Sequence, residues 1–452
     1  MRLLVVLALV SACGDNLPPP DVLVELNDLP GVTATEWTPP SSFKPEPGYR
    51  YFDLAFETPI DHGAAAAGTF QLHATLMHRD AAAPLVVYVG GYDLGFAYDL
   101  TEPAALVDGN QVELEYRFYG ASIPGDIPWP ELRVAQWTAD QHAIVQELAT
   151  IYSGARIATG GSKGGENALQ QAMAHPEDYA GVVAYVPPVI TAYPDERYEG
   201  ILDRVGDDPA CTQALRAVSR ELLVRRATLE PMFAATAAYD VAGVSHAFET
   251  AVVELEFSFW MTRGIGACDE VPATTEADAD LASFLEQTSP PEGYDDATLA
   301  TSGSQYLYQD HVELGYPVWD HAYLDDLLEY SYEDWSAYMP PDQPTTYDPT
   351  GALALADWVT NRSQHVMLVG GQWDPWGAGY PPVAPGRDAF EYIAPEASHW
   401  STFIGTLAPA DESAAVATLA GWAGVTAARI TTPTRPMAEP SNRALLRVSR
   451  DH

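Results

Sequence analysis

The segment Thr159-Gly160-Gly161-Ser162-Lys163-Gly164-Gly165 decides the fold of this chain. It follows a short apolar run and precedes a helical pattern that starts near residue 166. A Gly-x-Ser-x-Gly motif between a strand and a helix predicts a sharp, strained turn that exposes the serine hydroxyl, and its glycines let the flanking backbones approach closely. The N–H after the serine then points toward a developing oxyanion. Ser162 is therefore predicted to be a catalytic nucleophile.

Apolar runs and helical patterns alternate on both sides of this motif. Runs that are apolar throughout are typical of strands buried on both faces of a parallel sheet. The alternation indicates an α/β protein with a doubly wound, mostly parallel sheet, and the serine motif in that context indicates an α/β-hydrolase fold. The predicted strands are residues 85–89, 112–119, 156–159, 181–186 and 365–369, and the predicted helices between them are residues 135–152 and 166–174.

A long helical insertion interrupts this alternation. We expect a helical lid over residues 196–345, inserted between two parts of the hydrolase core at 48–195 and 346–425. Residues 426–452, which contain arginines and prolines, are expected to form a loosely attached tail. The segments of the lid with helical spacing of apolar positions are residues 198–226, 228–239, 245–260, 280–287 and 322–330.

The N-terminus has the pattern of an export signal. Residues 1–12 contain one arginine, an apolar run too short to span a bilayer, and small residues. Val10-Ser11-Ala12-Cys13 resembles the bacterial lipobox, in which the cysteine is lipidated, although an ordinary signal peptide that contains a cysteine is the alternative. We expect an exported protein, lipid-anchored through Cys13 in the bacterial cell envelope or otherwise periplasmic or secreted. The proline-rich residues 13–47 are expected to be a tether and an irregular approach to the fold.

The charge of the chain excludes one class of partner. The chain has 63 acidic and 22 basic residues, which gives a formal net charge of −41. Such a field repels the phosphates of nucleic acids, so we expect no nucleic-acid partner. No motif indicates a metal, nucleotide or redox cofactor, and contact with a membrane is expected only through the lipid on Cys13.

Two cysteines remain besides Cys13. Cys211 and Cys268 form an even pair in a chain that is predicted to be exported, which favours a disulfide between them. Two buried free thiols are the alternative. No spacing of cysteines and histidines indicates a zinc site.

A serine nucleophile needs a base, and the order of residues along the chain selects it. In α/β-hydrolases the acid follows the serine and the histidine follows the acid. His365 precedes every plausible acid, and only His399 and His452 come after it. His399 lies in a turn-rich segment after the apolar run 390–393, as expected of the loop after a last strand. His399 is therefore the predicted general base.

The predicted acid is Asp374. It lies on the loop after the strand 365–369, in the segment Gly-Gly-Gln-Trp-Asp-Pro-Trp at 370–376. Its carboxylate would hold the histidine in one tautomer and stabilise the imidazolium. Asp388 is the alternative acid.

The predicted oxyanion hole combines two backbone N–H groups. One is the N–H of Lys163, and the other comes from the loop after the strand 85–89. Gly91 or Tyr92 would supply this second N–H. The glycines of this loop could equally form a plain tight turn.

Four motifs carry a resemblance to a known family: Gly-Gly-Ser-Lys-Gly-Gly at 160–165, Glu-Tyr-Arg-Phe-Tyr-Gly at 115–120, Trp-Asp-Pro-Trp at 373–376 and Ala-Ser-His at 397–399. They resemble the bacterial secreted tripeptidyl aminopeptidases, serine peptidases that release N-terminal tripeptides and commonly favour proline at the cleavage site. The resemblance extends from about residue 49 to about residue 424 and includes the helical insertion. It implies a triad of Ser162, Asp374 and His399, and short peptides with a free N-terminus as substrates.

The motif at 115–120 further resembles the Glu-His-Arg-Tyr-Tyr-Gly segment of lysosomal prolyl carboxypeptidases and dipeptidyl peptidases, although Tyr116 replaces the histidine. An exopeptidase must bury the ammonium of its substrate, which needs a carboxylate partner. Glu115 and Arg117 lie at the carboxyl end of a predicted core strand, where open α/β sheets bind ligands, so both are candidates for substrate binding. A structural ion-pair network between them is the alternative.

Two other classes of function fit the same motifs. An esterase or lipase uses the same triad and fold, because fold does not determine function. A lipoprotein without catalytic activity could also retain the fold for binding. Blocking the substrate amine separates the peptidase from the esterase, since only the peptidase needs a free ammonium.

Overall fold

The computed structural model of the protein describes residues 21–41, 43–95, 97–332, 335–341, 343 and 346–426. Within these residues the centre of the fold is one nine-stranded sheet. Its strands are β1 Val32–Trp37, β2 Arg50–Pro59, β3 Thr69–His78, β4 Leu85–Val89, β5 Asn110–Leu114, β6 Arg156–Gly161, β7 Gly181–Tyr185, β8 Val366–Gly371 and β9 Ala389–Ala394.

The strands lie in the order β1-β2-β3-β5-β4-β6-β7-β8-β9. The pairs β1–β2, β2–β3 and β3–β5 are antiparallel, and all pairs from β5 to β9 are parallel. The predicted mostly parallel sheet is therefore confirmed. Parallel strands bring all their carboxyl ends to the same side of the sheet, where ligands bind in such folds.

Helices cover both faces of the sheet and form the lid. They are α1 Val22–Asn27, α2 Glu102–Val107, α3 Val134–Leu148, α4 Lys163–Ala174, α5 Pro209–Val224, α6 Arg226–Phe233, α7 Val244–Thr262, α8 Asp278–Thr288, α9 Asp296–Thr298, α10 Ser304–Gln309, α11 Thr350–Asn361 and α12 Pro409–Ala423. Helices α3, α4 and α11 pack on one face, and α2 and α12 pack on the other. All residues of β4, β5 and β7 are consequently buried, which explains their continuous burial pattern.

The N-terminal part of the fold is more regular than the sequence predicts. Helix α1 packs against β1, which forms an edge of the sheet by pairing with β2 along its whole length. The side-chain amide of Asn27 donates to the carbonyl of Ala34 and accepts from its N–H, both at 3.0 Å. The expected tether and irregular approach over residues 13–47 is therefore wrong for residues 22–37. Strand β1 was missed because an edge strand alternates buried and exposed residues and carries only a weak apolar signal.

Some sequence predictions concern residues outside the described part of the chain. These are the signal at residues 1–12, the lipidated residue Cys13 and nearly all of the tail at 426–452. They stay predictions. Among the residues that are described, no helix is both long enough and apolar enough to cross a membrane.

The lid lies between β7 and β8 and has an apolar core of its own. Helices α5 to α10 pack around a cluster of buried side chains that is separate from the clusters on the two faces of the sheet. Helix α7 is the centre of this unit and contacts α5, α6 and α8. The disulfide between Cys211 and Cys268 joins the start of α5 to the turn after α7, with 5.5 Å between the Cα atoms.

One segment of the lid that has helical spacing does not form a helix. Of residues 322–330, only Ala322–Leu324 forms a turn of 3₁₀-helix. The carboxylate of Glu249 on α7 accepts the backbone N–H groups of Glu329 and Tyr330, at 2.9 and 2.8 Å. A side chain of a lid helix therefore binds these backbone groups. The spacing of apolar residues within the segment could not reveal a partner so distant in sequence.

Glycines allow α4 to begin directly against the sheet. A Cβ on Gly164 would lie 2.0 Å from the carbonyl oxygen of Val89 in β4, and one on Gly160 would lie 2.3 Å from the carbonyl oxygen of Gly164. No side chain fits at either distance. The contact of α4 with β4 and β6 therefore requires glycine at both positions.

We expect Gly164→Ala to lower the free energy of unfolding by about 1–3 kcal/mol, because the added methyl group forces α4 away from β4. Gly421→Ala is the matched control, since Gly421 lies in α12 and a Cβ there would meet nothing within 4 Å. In such open helical positions alanine is favoured over glycine by roughly 0.5–1 kcal/mol. Urea denaturation of both variants measures these changes, and a Gly164→Ala protein as stable as wild type would contradict the packing argument.

We expect the double variant Cys211→Ser, Cys268→Ser to lose about 4 kcal/mol of stability relative to the oxidised protein, because the bond closes a long loop in the unfolded chain. The two cysteines are 57 residues apart in sequence. Denaturation curves with and without a reducing agent provide the measurement. The reductant should destabilise wild type and leave the double variant unchanged; equal curves for the variant and the oxidised wild type would refute the expectation.

Candidate active site

Ser162 forms the turn between β6 and α4 in a strained backbone conformation, with φ 56° and ψ −128°. Residues other than glycine avoid this region, so the surroundings must hold it. The N–H of Ser162 donates to the carbonyl of Tyr185 in β7, and its carbonyl accepts from the N–H of Glu166, both at 3.0 Å. The side chain lies at the carboxyl ends of the parallel strands and lines a cavity.

Asp374 and His399 form a buried pair on the loops after β8 and β9. Nδ1 of His399 lies 2.6 Å from Oδ2 of Asp374, and neither side chain is exposed. The other carboxylate oxygen accepts the N–H of Trp376 at 2.9 Å, and the hydroxyl of Tyr380 also donates to Asp374. These bonds fix the carboxylate, and a carboxylate at Nδ1 leaves Nε2 as the atom that can act as base.

Nε2 of His399 is buried and has no hydrogen-bond partner among the described residues. A buried polar atom without a partner is unusual and needs an explanation. A base that awaits a reacting group provides one, because catalytic hydrogen bonds often form only with substrate present. The ring of Trp376 lies 6.4 Å from that of His399, centre to centre, and borders the same cavity as Ser162. The three predicted catalytic residues thus all lie at the carboxyl ends of the parallel strands.

Asp388, the alternative acid, lies at the amino ends of the parallel strands. It precedes β9, and its carboxylate accepts the indole N–H of Trp422 at 3.0 Å and lies 3.3 Å from Nε2 of His365. Because β8 and β9 are parallel, residues that precede them lie at their amino ends, away from Ser162. The geometry therefore supports Asp374 as the partner of His399.

The loop after β4 lies directly against the start of α4. Gly91 has a φ of 85°, and a Cβ there would lie 3.0 Å from the backbone nitrogen of Gly164. The ammonium of Lys163 donates to the carbonyl of Gly91 at 2.6 Å, and Tyr92 lines the cavity. The first N–H groups of a helix lack acceptors within the helix. The three residues predicted for the oxyanion hole therefore lie on two adjoining backbone segments beside Ser162.

The side chain of Lys163 is buried beneath the catalytic turn. Its ammonium nitrogen lies 3.6 Å from the centre of the Tyr116 ring. Burial lowers the pKa of Lys163 to about 7, while the nearby carboxyl groups of Asp310 and Glu166 act in the opposite direction. The ammonium therefore ties α4 to the loop after β4 and does not face solvent.

The cavity at Ser162 lies between the sheet and the lid. Three carboxyl side chains line it, those of Glu166, Glu254 and Asp310, and Lys163 is the only cation among its described lining residues. Aromatic side chains cover much of the remaining wall. They are Tyr92, Phe257, Tyr294, Tyr306, Tyr316, Trp319 and Trp376.

The sequence analysis did not identify these three carboxyl groups. Burial raises the pKa of Glu166 to about 8 and raises the pKa of Asp310 well above its ordinary value, while Lys163 lowers both. Burial also raises the pKa of Glu254, whose tyrosine neighbours lower it. The groups lie on three separate elements, so no local motif connects them. The only available signal was the position of Glu166, one helical turn after the serine.

Glu115 and Arg117 have structural partners and do not line the cavity. The carboxylate of Glu115 accepts from the N–H and the hydroxyl of Ser122, at 2.8 and 2.6 Å. The guanidinium of Arg117 is fully buried, pairs with Asp140 at 2.7 Å and donates to three backbone carbonyls. These bonds favour a structural role for both residues, and their assignment to substrate binding stays a prediction. The alternative of an ion pair between them is not observed.

A possible group of metal ligands lies elsewhere in the described residues. Donor atoms of His142, His175 and Asp178 lie within 4.8 Å of one another. The aspartate already accepts the side-chain amides of Gln146 and Gln171. His175 ends α4 at the far end from Ser162, about 20 Å along the helix axis. This group is therefore not part of the active site.

We expect the stability difference between wild type and Glu115→Gln to depend on pH. Burial raises the pKa of Glu115 to about 7 from an ordinary value of 4.5. The folded protein therefore retains this proton longer than the unfolded chain, and the stability from Glu115 is complete below pH 4.5 and lost as pH rises through 7. From about pH 4.5 to 8 the difference should shift in favour of the variant by up to about 3 kcal/mol. Urea denaturation at both pH values tests this, and parallel pH dependences would contradict it.

The chain is similar to known proteins in both sequence and structure. Residues 21–448 match the family described as PS-10 peptidase S37. The chain is 34% identical over 431 residues to a prolyl tri/tetrapeptidyl aminopeptidase of Streptomyces mobaraensis, covering 92% of this chain and 88% of that protein. Solved structures that resemble it include a proline iminopeptidase from Mycobacterium smegmatis, with 14% identity, a TM-score of 0.40, and coverage of 81% of this chain and 98% of that one. An epoxide hydrolase from an endophytic Streptomyces has 18% identity, a TM-score of 0.38, and coverage of 84% and 98%.

The family match covers most of the chain, and the aminopeptidase aligns with nearly all of it. The resemblance seen in the sequence motifs is therefore confirmed, and the protein is a serine-type peptidase that releases N-terminal peptides. Its mostly parallel sheet with the serine turn after β6 is that of an α/β-hydrolase. This chain belongs to the S37 family of PS-10 peptidases.

Proposed function

We propose that this protein is an exported aminopeptidase that releases tripeptides from free N-termini and favours proline as the last residue released. One observation carries the proposal: the cavity that holds Ser162 is also lined by the carboxyl groups of Glu166, Glu254 and Asp310. An ammonium beside these carboxyl groups favours their ionised forms and is stabilised by them, whereas a neutral acyl ester gains nothing from them. The wall therefore favours a peptide with a free ammonium over the substrate of an esterase.

The chemistry proceeds through an acyl-enzyme. Ser162 Oγ attacks the carbonyl carbon of the third residue while Nε2 of His399 takes its proton, and Asp374 stabilises the imidazolium through Nδ1. The C–N bond then breaks, and the imidazolium gives its proton to the leaving amine. Water attacks the ester that remains, His399 accepts a proton from this water and returns it to Ser162, and the tripeptide leaves as a carboxylate.

Backbone N–H groups stabilise the tetrahedral intermediates. The N–H of Lys163 and that of Gly91 or Tyr92 are proposed as the donors, since charge develops on the carbonyl oxygen only during reaction. The contact of Gly91 with the start of α4 supports this assignment. The bond from the buried ammonium of Lys163 to the carbonyl of Gly91 holds the two segments together before substrate binds.

The lid accounts for the choice of substrate. Helices over the cavity exclude folded proteins and admit the end of an unstructured chain. Tyr306 and Trp319 face the cavity and offer flat surfaces against which a proline ring can pack. The name of the Streptomyces mobaraensis relative, a prolyl tri/tetrapeptidyl aminopeptidase, supports both proline preference and the short length of the product.

Export is supported by two independent features. Disulfides persist in oxidising compartments, and Cys211 is bonded to Cys268. The N-terminal residues 1–12 have the pattern of a signal, followed by Cys13 in a lipobox-like context. We infer attachment to the cell envelope through a lipid on Cys13.

We expect the wild-type protein to hydrolyse Ala-Ala-Pro p-nitroanilide with a free N-terminus and not its acetylated form. Ser162→Ala should lower kcat by about 10⁴-fold or more, because the nucleophile acts as a unit with its base. Asp374→Asn should lower kcat by roughly 10⁴-fold, because the imidazole is then held in the wrong tautomer. Release of p-nitroaniline is the measurement.

Asp388→Asn is the matched control for Asp374→Asn, since Asp388 lies at the amino ends of the strands, and it should keep wild-type activity. Equal cleavage of the free and acetylated anilides would contradict the aminopeptidase. Cleavage of neither anilide, together with Ser162-dependent hydrolysis of p-nitrophenyl acetate, would instead identify an esterase.

A further inference from the structure

One face of helix α7 forms a wall of the cavity. The residues of α7 that line the cavity are Glu254, Phe257, Ser258, Met261 and Thr262, and their spacing of three and four residues places them on one side of the helix. From His246 to Met261, Glu254 and Ser258 are half-buried and all other residues are buried. The exposed part of these two polar side chains therefore faces the cavity that they line.

The C-terminal end of this face is attached to the catalytic loops. The sulfur of Met261 accepts the indole N–H of Trp376 at 3.0 Å, and its carbonyl accepts the N–H of Trp400 at 3.3 Å. Trp376 is two residues after Asp374, and Trp400 directly follows His399. Met261 therefore marks the end of the α7 face that lies beside the reacting groups.

Glu254 lies seven residues before Met261 on the same face. An α-helix rises 1.5 Å per residue, so the two positions are about 10 Å apart along the axis. An extended peptide advances roughly 3.3 Å per residue, so three residues also span about 10 Å. The position of Glu254 on α7 is thus about one tripeptide length, along the helix axis, from the position of Met261.

The carboxylate of Glu254 is oriented by hydroxyl groups and not by a cation. It accepts from the hydroxyls of Tyr294, Tyr316 and Tyr332 at 2.5, 3.0 and 3.2 Å. No arginine, lysine or histidine of the described residues forms an ion pair with it, whereas the neighbouring Glu256 pairs with Arg216 at 2.9 Å. The tyrosine rings add faces that attract a cation, so these groups suit a substrate ammonium.

The other two carboxyl groups of the cavity are less suited to this role. Glu166 is four residues after Ser162 on α4, and positions four apart on a helix are only about 6 Å apart, too close for a three-residue peptide. Asp310 and Glu166 both interact with the buried ammonium of Lys163. They therefore already have a basic side chain beside them, whereas Glu254 pairs with no basic side chain of the described residues.

We propose that Glu254, oriented by Tyr294, Tyr316 and Tyr332, binds the α-ammonium of the substrate and thereby sets the released peptide at three residues. This inference rests on the proposed function, because a free ammonium is present only if the substrate is a peptide with an unblocked N-terminus. The length of helix α7 between Glu254 and Met261 then sets the distance between the bound ammonium and the scissile bond.

The test compares Glu254→Gln with wild type on Ala-Ala-Pro p-nitroanilide and on p-nitrophenyl acetate. Glutamine keeps the size and an acceptor oxygen but removes the charge. We expect kcat/KM for the anilide to fall at least about 10-fold, mainly through KM, because a charge-assisted contact is lost. Hydrolysis of the acetate, which has no amine, should change less than about 2-fold, and this result also reports that the variant is folded.

A series of free-amine p-nitroanilides of different peptide length distinguishes loss of a specific ammonium site from damage to the fold. Wild type should prefer Ala-Ala-Pro over Ala-Pro and Ala-Ala-Ala-Pro, and Glu254→Gln should lose this preference. Damage to the fold would lower all three rates equally. Glu254→Asp, which keeps the charge on a shorter side chain, should recover part of the lost activity on Ala-Ala-Pro p-nitroanilide. If Glu254→Gln does not fold, the preference of Glu254→Asp among the three anilides tests the inference instead.

Glu256→Gln is the matched control. Glu256 lies on the same helix, does not line the cavity and pairs with Arg216, so its variant should keep the preference for the tripeptide. If Glu254→Gln retained both the wild-type kcat/KM and the preference, the anchor would lie elsewhere and the inference would be overturned, while the aminopeptidase activity stood. If wild type hydrolysed only the acetate, the proposed function itself would fail.

Discussion

Helix α4 begins against the backbones of β4 and β6 with no side chain between them, and this contact determines where the reactive groups lie. Glycine at 160 and 164 is the physical condition for it, because a Cβ at either position would overlap a backbone carbonyl. The sharp turn that results holds Ser162 in a conformation that non-glycine residues avoid, with its hydroxyl at the cavity. The same contact places the first N–H of α4 beside the loop that contains Gly91. The positions of the proposed nucleophile and of the proposed oxyanion donors thus both follow from one packing constraint.

Burial then determines the charge of the site. Lys163 enters the interior beside Tyr116, where desolvation favours its neutral form, and the nearby carboxyl groups are likewise pushed toward their protonated forms. Opposite charges within this cluster partly offset the cost of burial for each other. Burial raises the pKa of Glu254 as well, but the hydroxyls of three tyrosines donate to its carboxylate and act in the opposite direction, and no basic side chain of the described residues pairs with it. A cavity lined by Ser162 and by a carboxyl group that pairs with no described basic side chain is suited to a substrate with a positive end.

The sequence predicted the mostly parallel sheet and the Asp374–His399 pair for the same reason. Parallel strands have their carboxyl ends on the same side of the sheet. Residues that follow apolar runs therefore meet there even when they are far apart in the chain. The reasoning failed where partners were not local. Strand β1 was missed because half its residues face solvent. Residues 322–330 do not form the helix that was predicted, and the carboxylate of Glu249 binds two backbone N–H groups at the end of this segment. Ser122, which donates two hydrogen bonds to Glu115, could likewise not be recognised as its partner from sequence.

The sequence alone is sufficient to identify the class of fold and the family, and it predicts the nucleophile and the order of acid and base. Each of these follows from short-range patterns: a glycine pair around a serine, apolar runs of strand length, and the order in which loops follow strands. Only the tertiary structure decided which acidic residues face the cavity, because Glu166, Glu254 and Asp310 come from elements separated by up to about 140 residues and meet only when the lid packs on the sheet. Burial and the identity of neighbours determine what a carboxylate can bind, and both are properties of the packed chain.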